Sequence, residues 1–134
     1  AKIKRVADLA DMFLLDVKHA DESGHIMLTG RPPEKPRRFL EFLCEKNKRL
    51  WIRCVLINGI TAGPEYAKTL GNYLKPYGDK IERIELLPYH RLGVGKWKKL
   101  GLEYKLEGVE PTPRETVENF KKVLRGIVPI KEIV

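Results

Sequence analysis

The chain has 134 residues, of which 43% are hydrophobic, and its 26 lysines and arginines exceed its 18 acidic residues to give a formal net charge of +8. This size and apolar content allow one domain, or part of one, whose core closes without disulfides or a structural metal, and no apolar run approaches the roughly 20 residues of a bilayer span. We therefore expect a soluble protein, and a cytoplasmic one because nothing near Ala1 resembles an export signal.

The first half of the chain alternates between helical and strand-like patterns. Residues 3–11 have helical spacing and finish in polar residues, which indicates the end of a helix. A continuous apolar run at 12–18, closed by charges, predicts a strand covered on both faces, as parallel strands are. After a polar loop in which a short helix would fit, residues 36–47 predict a helix and residues 49–57 a second strand.

The second half continues the alternation. Residues 64–78 predict a helix, residues 81–89 a third strand, and residues 113–125 a last helix with Thr112 as its N-cap. The order of elements predicts an α/β fold of three consecutive β/α units with a parallel sheet. Because three strands cannot close a barrel, we expect residues 1–134 to form a single incomplete domain.

Polar side chains stand at the end of the first predicted strand, where ligands bind in parallel α/β folds. Asp16 and Lys18 share one parity with Leu14, so the three side chains leave the same face of the sheet. A carboxylate and an ammonium group there could hold a zwitterionic ligand or a cation. The alternative is a surface ion pair at a strand end.

The next two strands carry further candidates. Arg53 lies inside an apolar strand, where a guanidinium group needs a partner, so it should face a polar cavity or an anionic group. The alternative is a structural ion pair with a glutamate such as Glu85. His90 ends the third strand, where its imidazole could exchange hydrogen bonds with a ligand, although lone histidines are more often structural. Polar groups on three successive strand ends favour a common site.

Other chemistry-bearing residues give weaker signals. His19 and His25 have no partner at metal-ligand spacing, and we expect both to face solvent. Cys44 and Cys54 are ten residues apart without a second pair, which fits neither a zinc site nor a disulfide framework, and we expect both to be buried thiols. The glycine-containing loops do not match a phosphate-binding loop. From the residues alone, the chain is the anion-binding half of a parallel α/β domain.

The positive charge could also attract nucleic acid. However, the basic residues are mixed with glutamates along helix-like segments, and no basic strand carries the aromatic side chains of a nucleic-acid platform. We interpret the charge as a solvated surface.

Four segments resemble one known family. They are LLDVK at 14–18, LWIRCVLINGIT at 50–61, IERIELLPYHRLGVGKWKKLGLEYKLEGVEPT at 81–112, and PRETVENFKKVLR at 113–125. Their wording is similar to that of the pyruvate formate-lyase activating enzymes, which are glycyl-radical-enzyme activases of the radical S-adenosylmethionine family.

The resemblance implies both a fold and a cofactor set. The family's fold is a partial (β/α)6 barrel, and these strands are similar to its last three. The family binds a [4Fe-4S] cluster through a three-cysteine motif in its first half, which is not in this sequence. With that cluster and S-adenosylmethionine, the family installs a glycyl radical on its target enzyme. The resemblance therefore implies the C-terminal half of an activase, inactive without the cluster-binding N-terminal half.

The resemblance also implies roles for individual residues. Asp16 and the backbone carbonyl of Leu14 match positions that bind a monovalent cation beside the cofactor. Lys18 and His90 match positions that contact S-adenosylmethionine. Arg53 matches a position that faces the glycine-bearing loop of the target enzyme.

Two segments depart from the family pattern, NGITAGP at 58–64 and GRPPEKPRR at 30–38. Since the second lies where the barrel meets its partner, the identity of the glycyl-radical enzyme stays open. Three hypotheses remain: a truncated activase, a small non-catalytic interaction module for a glycyl-radical enzyme, and a basic anion or nucleic-acid binder. An open half-barrel also exposes the edges of its first and last strands and part of its inner face, so we expect that the chain could self-associate.

Overall fold

The computed structural model describes residues 2–134. Its central element is a four-stranded, all-parallel sheet in the order β1-β2-β3-β4. The strands are β1 (Met12–Asp16), β2 (Arg49–Leu56), β3 (Ile81–Pro88) and β4 (Glu132–Ile133). The helices are α1 (Lys2–Leu9), α2 (Glu22–Thr29), α3 (Glu34–Glu45), α4 (Pro64–Leu74), α5 (Val94–Lys99) and α6 (Arg114–Arg125), and a 3-10 turn at Lys75–Tyr77 follows α4.

The α/β class and the three long strands predicted from the sequence are confirmed. The sequence reasoning missed α5, a six-residue helix, and β4, a two-residue strand, because neither is long enough to show a periodic pattern. It also expected Thr112 to cap the last helix, and this was wrong. The helix begins one residue later than predicted, after Pro113, and the Thr112 hydroxyl donates instead to the carbonyl oxygen of Leu56 at 2.7 Å.

The helices cover one face of the sheet and form the core with it. Along β2, residues 50, 52, 54 and 56 are buried against the helices, while residues 51, 53 and 55 lie on the opposite face and are at least partly exposed. Helix α6 buries one stripe at helical spacing, formed by Val117, Phe120 and Leu124. Helix α4 packs closely against the segment after α6 at Gly71, where an added Cβ atom would lie 2.9 Å from Cγ2 of Ile127.

The opposite face of the sheet, which we call the open face, has no layer of described helices along it, and only α2 and the segment after α5 flank its carboxyl end. Three of its side chains, Leu14, Val55 and Leu87, are 36–45% exposed. The apolar run at 12–18 predicted that the first strand is covered on both faces, and this was wrong for β1 in the chain by itself. Parallel strands in a barrel need a second apolar layer, and a half-barrel supplies only the outer one.

Candidate functional site

The carboxyl ends of β1 and β2 bring three charged side chains together. Asp16 and Arg53 are register partners in the parallel ladder, and both point to the open face. The Arg53 Nε atom donates to Asp16 Oδ1 at 2.9 Å. The Lys18 Nζ atom donates to the other carboxylate oxygen, Oδ2, also at 2.9 Å. Two cations therefore share one carboxylate at this edge.

The two cations determine the protonation of the carboxyl group. Partial burial by itself would raise the pKa of Asp16, but the hydrogen bonds and charges of Lys18 and Arg53 outweigh it and hold that pKa below the ordinary value of 3.8. Asp16 is therefore ionised at neutral pH. The cluster then carries one negative and two positive charges, so it has one positive charge in excess with which to attract an anionic group.

A cavity of about 500 Å³ opens beside this cluster. Its polar end is formed by Asp16, Lys18 and Arg53. Its remaining walls are mostly apolar and come from the ends of β2 and β3, from α2 and from the segment after α5: Val17, Leu28, Thr29, Val55, Ile57, Leu87, Tyr89 and Leu106. A cavity with charged groups at one end and apolar walls suits a ligand that combines a charged head with a flat or apolar body.

The segment between β3 and α6 returns across the same edge of the sheet, and we call residues 90–111 the strap. Its far end is tied to β2 and β3 by backbone and side-chain bonds. The Thr112 amide donates to the carbonyl oxygen of Tyr89 at 3.0 Å, and the Asn58 side chain donates to the carbonyl oxygens of Glu110 and Pro111. The strap is therefore fixed at both ends next to the cavity.

One polar contact holds the middle of the strap. The hydroxyl groups of Tyr89 and Tyr104 share a hydrogen bond of 2.7 Å. The ring of Tyr104 also meets Trp97 edge-on, with 5.7 Å between centroids. These contacts place Leu106, two residues further, in the wall of the cavity. The sequence reasoning missed Tyr104 and Thr112 as site-forming residues, since neither stands in a periodic element.

The structure places the predicted site residues unequally. Asp16, Lys18 and Arg53 converge, but His90 lies beyond the end of β3, is exposed, and does not line the cavity. Its Nδ1 atom accepts a long hydrogen bond of 3.4 Å from the Leu92 amide. The charged groups therefore converge from two strand ends only, and the third strand contributes Leu87 and, just beyond its end, Tyr89 to the cavity.

The ion pair suggested for Arg53 was assigned to the wrong carboxylate. Glu85 is the register partner of Arg53 on β3, yet Arg53 pairs with Asp16. Glu85 instead contacts Arg83 at 3.5 Å, and Arg83 also forms two 2.8 Å bonds with Glu132 of β4. Arg83 thus pairs with Glu85 and Glu132, and Arg53 pairs with Asp16.

The two loop histidines were predicted to face solvent, and this was wrong for His25. His25 is buried, and its Nδ1 atom is 2.8 Å from the carbonyl oxygen of Arg31, which closes the end of α2. His19 is partly buried and packs on the ring of Tyr66 at 4.6 Å between centroids. Both histidines therefore hold the loop after β1 rather than a ligand.

Comparisons with known proteins identify relatives of the chain. No protein-family model matches the chain. It is 41% identical over 122 residues, or 90% of its length, to the pyruvate formate-lyase-activating enzyme of Staphylococcus epidermidis. It is 38% identical over 122 residues, or 91% of its length, to the pyruvate formate-lyase 1-activating enzyme of Escherichia coli K12. Over about 90% of its length the chain is therefore homologous to pyruvate formate-lyase-activating enzymes.

The match covers only part of these enzymes. The chain spans about half the length of the curated relatives it matches, 48% of the first and 49% of the second. The pyruvate formate-lyase-activating enzyme of Staphylococcus aureus USA300 gives the same picture, with 39% identity over 127 residues and 49% of its length.

Solved structures support the fold. A domain of the pyruvate-formate lyase-activating enzyme from Bacteroides vulgatus superimposes with a TM-score of 0.76 at 21% identity, covering 98% of this chain and 72% of that one. A radical SAM methyltransferase from Sphaerobacter thermophilus gives a TM-score of 0.65 at 16% identity. That match covers 99% of this chain and 37% of the methyltransferase chain. The half-barrel is thus a recurring part of larger proteins, consistent with a partial radical-SAM barrel.

None of the described helices combines the length and apolar character needed to cross a bilayer. Within residues 2–134, no group of three or more histidine, cysteine or acidic side chains is arranged to hold a metal ion.

Proposed function

We propose that this chain is the C-terminal half of an activase for pyruvate formate-lyase, and that its strand ends position S-adenosylmethionine beside the glycine-bearing loop of the target. The observation that carries the proposal is the cluster of Asp16, Lys18 and Arg53 at the mouth of the 500 Å³ cavity. The 38–41% identity to activating enzymes supplies the reaction class.

The charges and shape of the cavity fit S-adenosylmethionine. This cofactor carries a carboxylate, two cationic centres and a flat adenine base whose faces can pack on apolar side chains. Lys18 has a half-exposed side chain, so its ammonium group is free to turn from Asp16 toward the cofactor's carboxylate. The apolar wall formed by Val55, Leu87 and Leu106 suits the body of the ligand. His90, beyond the end of β3, is proposed as a second contact from outside the cavity.

Arg53 is proposed to contact the target. Its Nε atom is held by Asp16, which fixes the plane of the guanidinium group and leaves its remaining donors toward the open face. Backbone carbonyl groups of a glycine-bearing loop are natural acceptors for such donors. In this arrangement Asp16 acts as a positioning residue for Arg53 and Lys18.

The residues of this chain do not fit an iron–sulfur cluster. Cys54 is buried on the helix-covered face of β2, and Cys44 is partly buried on α3. They are the two cysteines of the sequence, fewer than a [4Fe-4S] cluster requires. A cluster and S-adenosylmethionine supply the radical chemistry in the proposed enzyme, so the cluster must be held by a cluster-binding N-terminal half.

A monovalent cation at Asp16 and the Leu14 carbonyl also does not fit the side chains as they are placed. Both carboxylate oxygens already accept from cationic groups, Lys18 and Arg53, each at 2.9 Å. A metal cation would be repelled by both, and it could approach Asp16 only after Lys18 had turned away toward the cofactor. We therefore assign no step to this cation.

The experiment that tests the proposal has two stages. Isothermal titration of the 134-residue chain with S-adenosylmethionine, with Lys18→Ala as the comparison, tests the cavity. Mixing the chain with a cluster-bearing N-terminal half and pyruvate formate-lyase, followed by electron paramagnetic resonance, tests the reaction. A glycyl radical that needs both halves supports the proposal. If both halves are folded and associated but no glycyl radical forms, activation of pyruvate formate-lyase is excluded as the function.

The open face favours one further role, as an association surface. β1 lies at the edge of the sheet, so no described strand pairs with its outer side, and Leu14 on its open face is 45% exposed. We propose that the missing N-terminal half pairs here, with a second copy of this chain as the substitute when that half is absent. Sedimentation velocity of the chain, with and without the N-terminal half, distinguishes the two.

A further inference from the structure

The strap exposes an unusual amount of apolar surface. Leu92 is 84% exposed, Trp97 41%, Leu100 71% and Leu102 53%, all within one eleven-residue stretch around α5. Single exposed apolar residues need no explanation, but four large ones grouped on one short segment are typical of a surface that meets a partner. We call residues 91–102 the strap surface.

The strap surface is also strongly basic. Residues 91–100 include Arg91, Lys96, Lys98 and Lys99 and contain no acidic residue. None of these four side chains forms an ion pair with a described carboxylate. Elsewhere on the chain, cations such as Arg49, Lys68 and Lys121 are paired with glutamates. The strap surface therefore keeps its charge available for an anionic partner.

The strap surface is mechanically tied to the cavity. Trp97 packs edge-on against Tyr104, and Tyr104 shares its hydroxyl hydrogen bond with Tyr89 of the cavity wall. Leu106 of the same strap lines the cavity directly. A molecule bound on the strap surface would thus contact the segment that forms one wall of the cavity.

We propose that the strap surface is the docking surface for an acidic, apolar-anchored segment of the target protein. The proposal rests on the proposed function and adds to it the chemistry of the partner segment. Exposed lysines supply steering and register, and Trp97 with its leucine neighbours supplies the anchor, as central aromatic residues do in protein interfaces. A lipid surface is less suited, because α5 has six residues and cannot lie in a membrane interface as an amphipathic helix.

The test measures binding of the 134-residue chain to immobilised pyruvate formate-lyase. The variants are the charge reversal Lys96→Glu with Lys98→Glu, and separately Trp97→Ala. The matched control is Lys75→Glu. Lys75 is an exposed lysine in the 3-10 turn that precedes the amino-terminal end of β3. We expect each strap variant to weaken binding by about tenfold or more, and the control to bind like the wild type.

A second readout separates this inference from the proposed function. The charge-reversal variant should keep wild-type affinity for S-adenosylmethionine, because Lys96 and Lys98 do not line the cavity. Unchanged binding of both strap variants to pyruvate formate-lyase would overturn the docking surface and leave the proposed function intact. A wild-type chain that fails to bind pyruvate formate-lyase would overturn both. Binding to anionic phosphatidylserine vesicles that depends on Trp97, without binding to the enzyme, would overturn the docking surface in favour of a lipid.

Discussion

Arg53 on β2 donates its Nε–H to Asp16 on β1 across 2.9 Å, and the two residues are direct neighbours in the parallel register. The ladder itself therefore brings together groups that are 37 positions apart in the sequence. The sheet register places both side chains next to each other on the open face, so the pair forms without a ligand. This preorganisation is what a binding site requires of its charged groups.

Replacing Asp16 by asparagine should lower the free energy of unfolding by about 1 kcal/mol at pH 7, because two partly exposed ion pairs are lost and solvent screens each of them. The loss should depend on pH. The folded-state pKa of Asp16 is lower than its ordinary value, so its stabilising contribution is complete above about pH 4 and is lost as the pH falls through the folded pKa. Urea unfolding of both proteins between pH 2 and 7 measures this difference.

The control for this prediction is Glu65→Gln, which removes an exposed ion pair with Lys68 on α4 that involves neither Asp16 nor its two partners. It should change the unfolding free energy by less than about 0.5 kcal/mol. A difference between wild type and Asp16→Asn that stays constant down to pH 2 would contradict the assigned charge interactions.

The sequence predicted the elements that follow from periodicity and the residues that follow from strand polarity. Leu14 and Asp16 were assigned to one face of the first strand because side chains alternate along a strand, and the structure places them there. The register between strands is set by packing over the whole sheet, so the sequence could not show that Arg53 faces Asp16 and that Arg83 takes Glu85. The Tyr89–Tyr104 contact could not be predicted from the sequence either, because it depends on the path of a loop.

Two buried threonine hydroxyls near β2 should differ in their contribution to stability. Thr61 donates to the Val55 carbonyl at 2.7 Å and accepts from the Ile57 amide at 2.8 Å. Thr61→Val leaves that buried amide without its acceptor and should cost about 1–3 kcal/mol of unfolding free energy.

Thr112→Val should cost less, about 1 kcal/mol, because the Leu56 carbonyl that it leaves still accepts from the Tyr89 amide at 2.9 Å. Chemical unfolding of both variants under one condition decides the order. A larger loss for Thr112→Val than for Thr61→Val would show that the strap end, rather than the turn after β2, controls the stability of this edge.

Removing one hydroxyl should loosen the strap without unfolding the domain. Tyr104→Phe keeps the ring contact with Trp97 and deletes the hydrogen bond to Tyr89, whose loss is worth about 1 kcal/mol. Local opening of the strap should then become about fivefold more frequent. Limited trypsin digestion should show cleavage at the strap lysines rising by that factor.

The same hydrogen bond gives a spectroscopic check. It raises the pKa of Tyr104 to about 12, so the ultraviolet signal of a tyrosine titrating near that pH should disappear in Tyr104→Phe. Tyr77→Phe, at the amino-terminal side of β3, should leave both the strap cleavage rate and that signal unchanged. Equal strap cleavage in wild type and Tyr104→Phe would mean that the ends of the strap, and not Tyr104, hold it in place.

The two cysteines should react with thiol reagents at very different rates. Cys54 is 2% exposed on the helix-covered face of β2, and burial raises the pKa of its thiol to about 12, so almost no reactive thiolate exists at pH 8. Cys44 on α3 is only partly buried, although burial also raises its pKa, and it should react first. With an aromatic disulfide reagent, the native chain should release one equivalent slowly and the second only on unfolding. Cys44→Ala should abolish the native reaction, whereas Cys54→Ala should keep it. Rapid labelling of Cys54 in the folded Cys44→Ala chain would show that the helices do not seal β2 as the structure indicates.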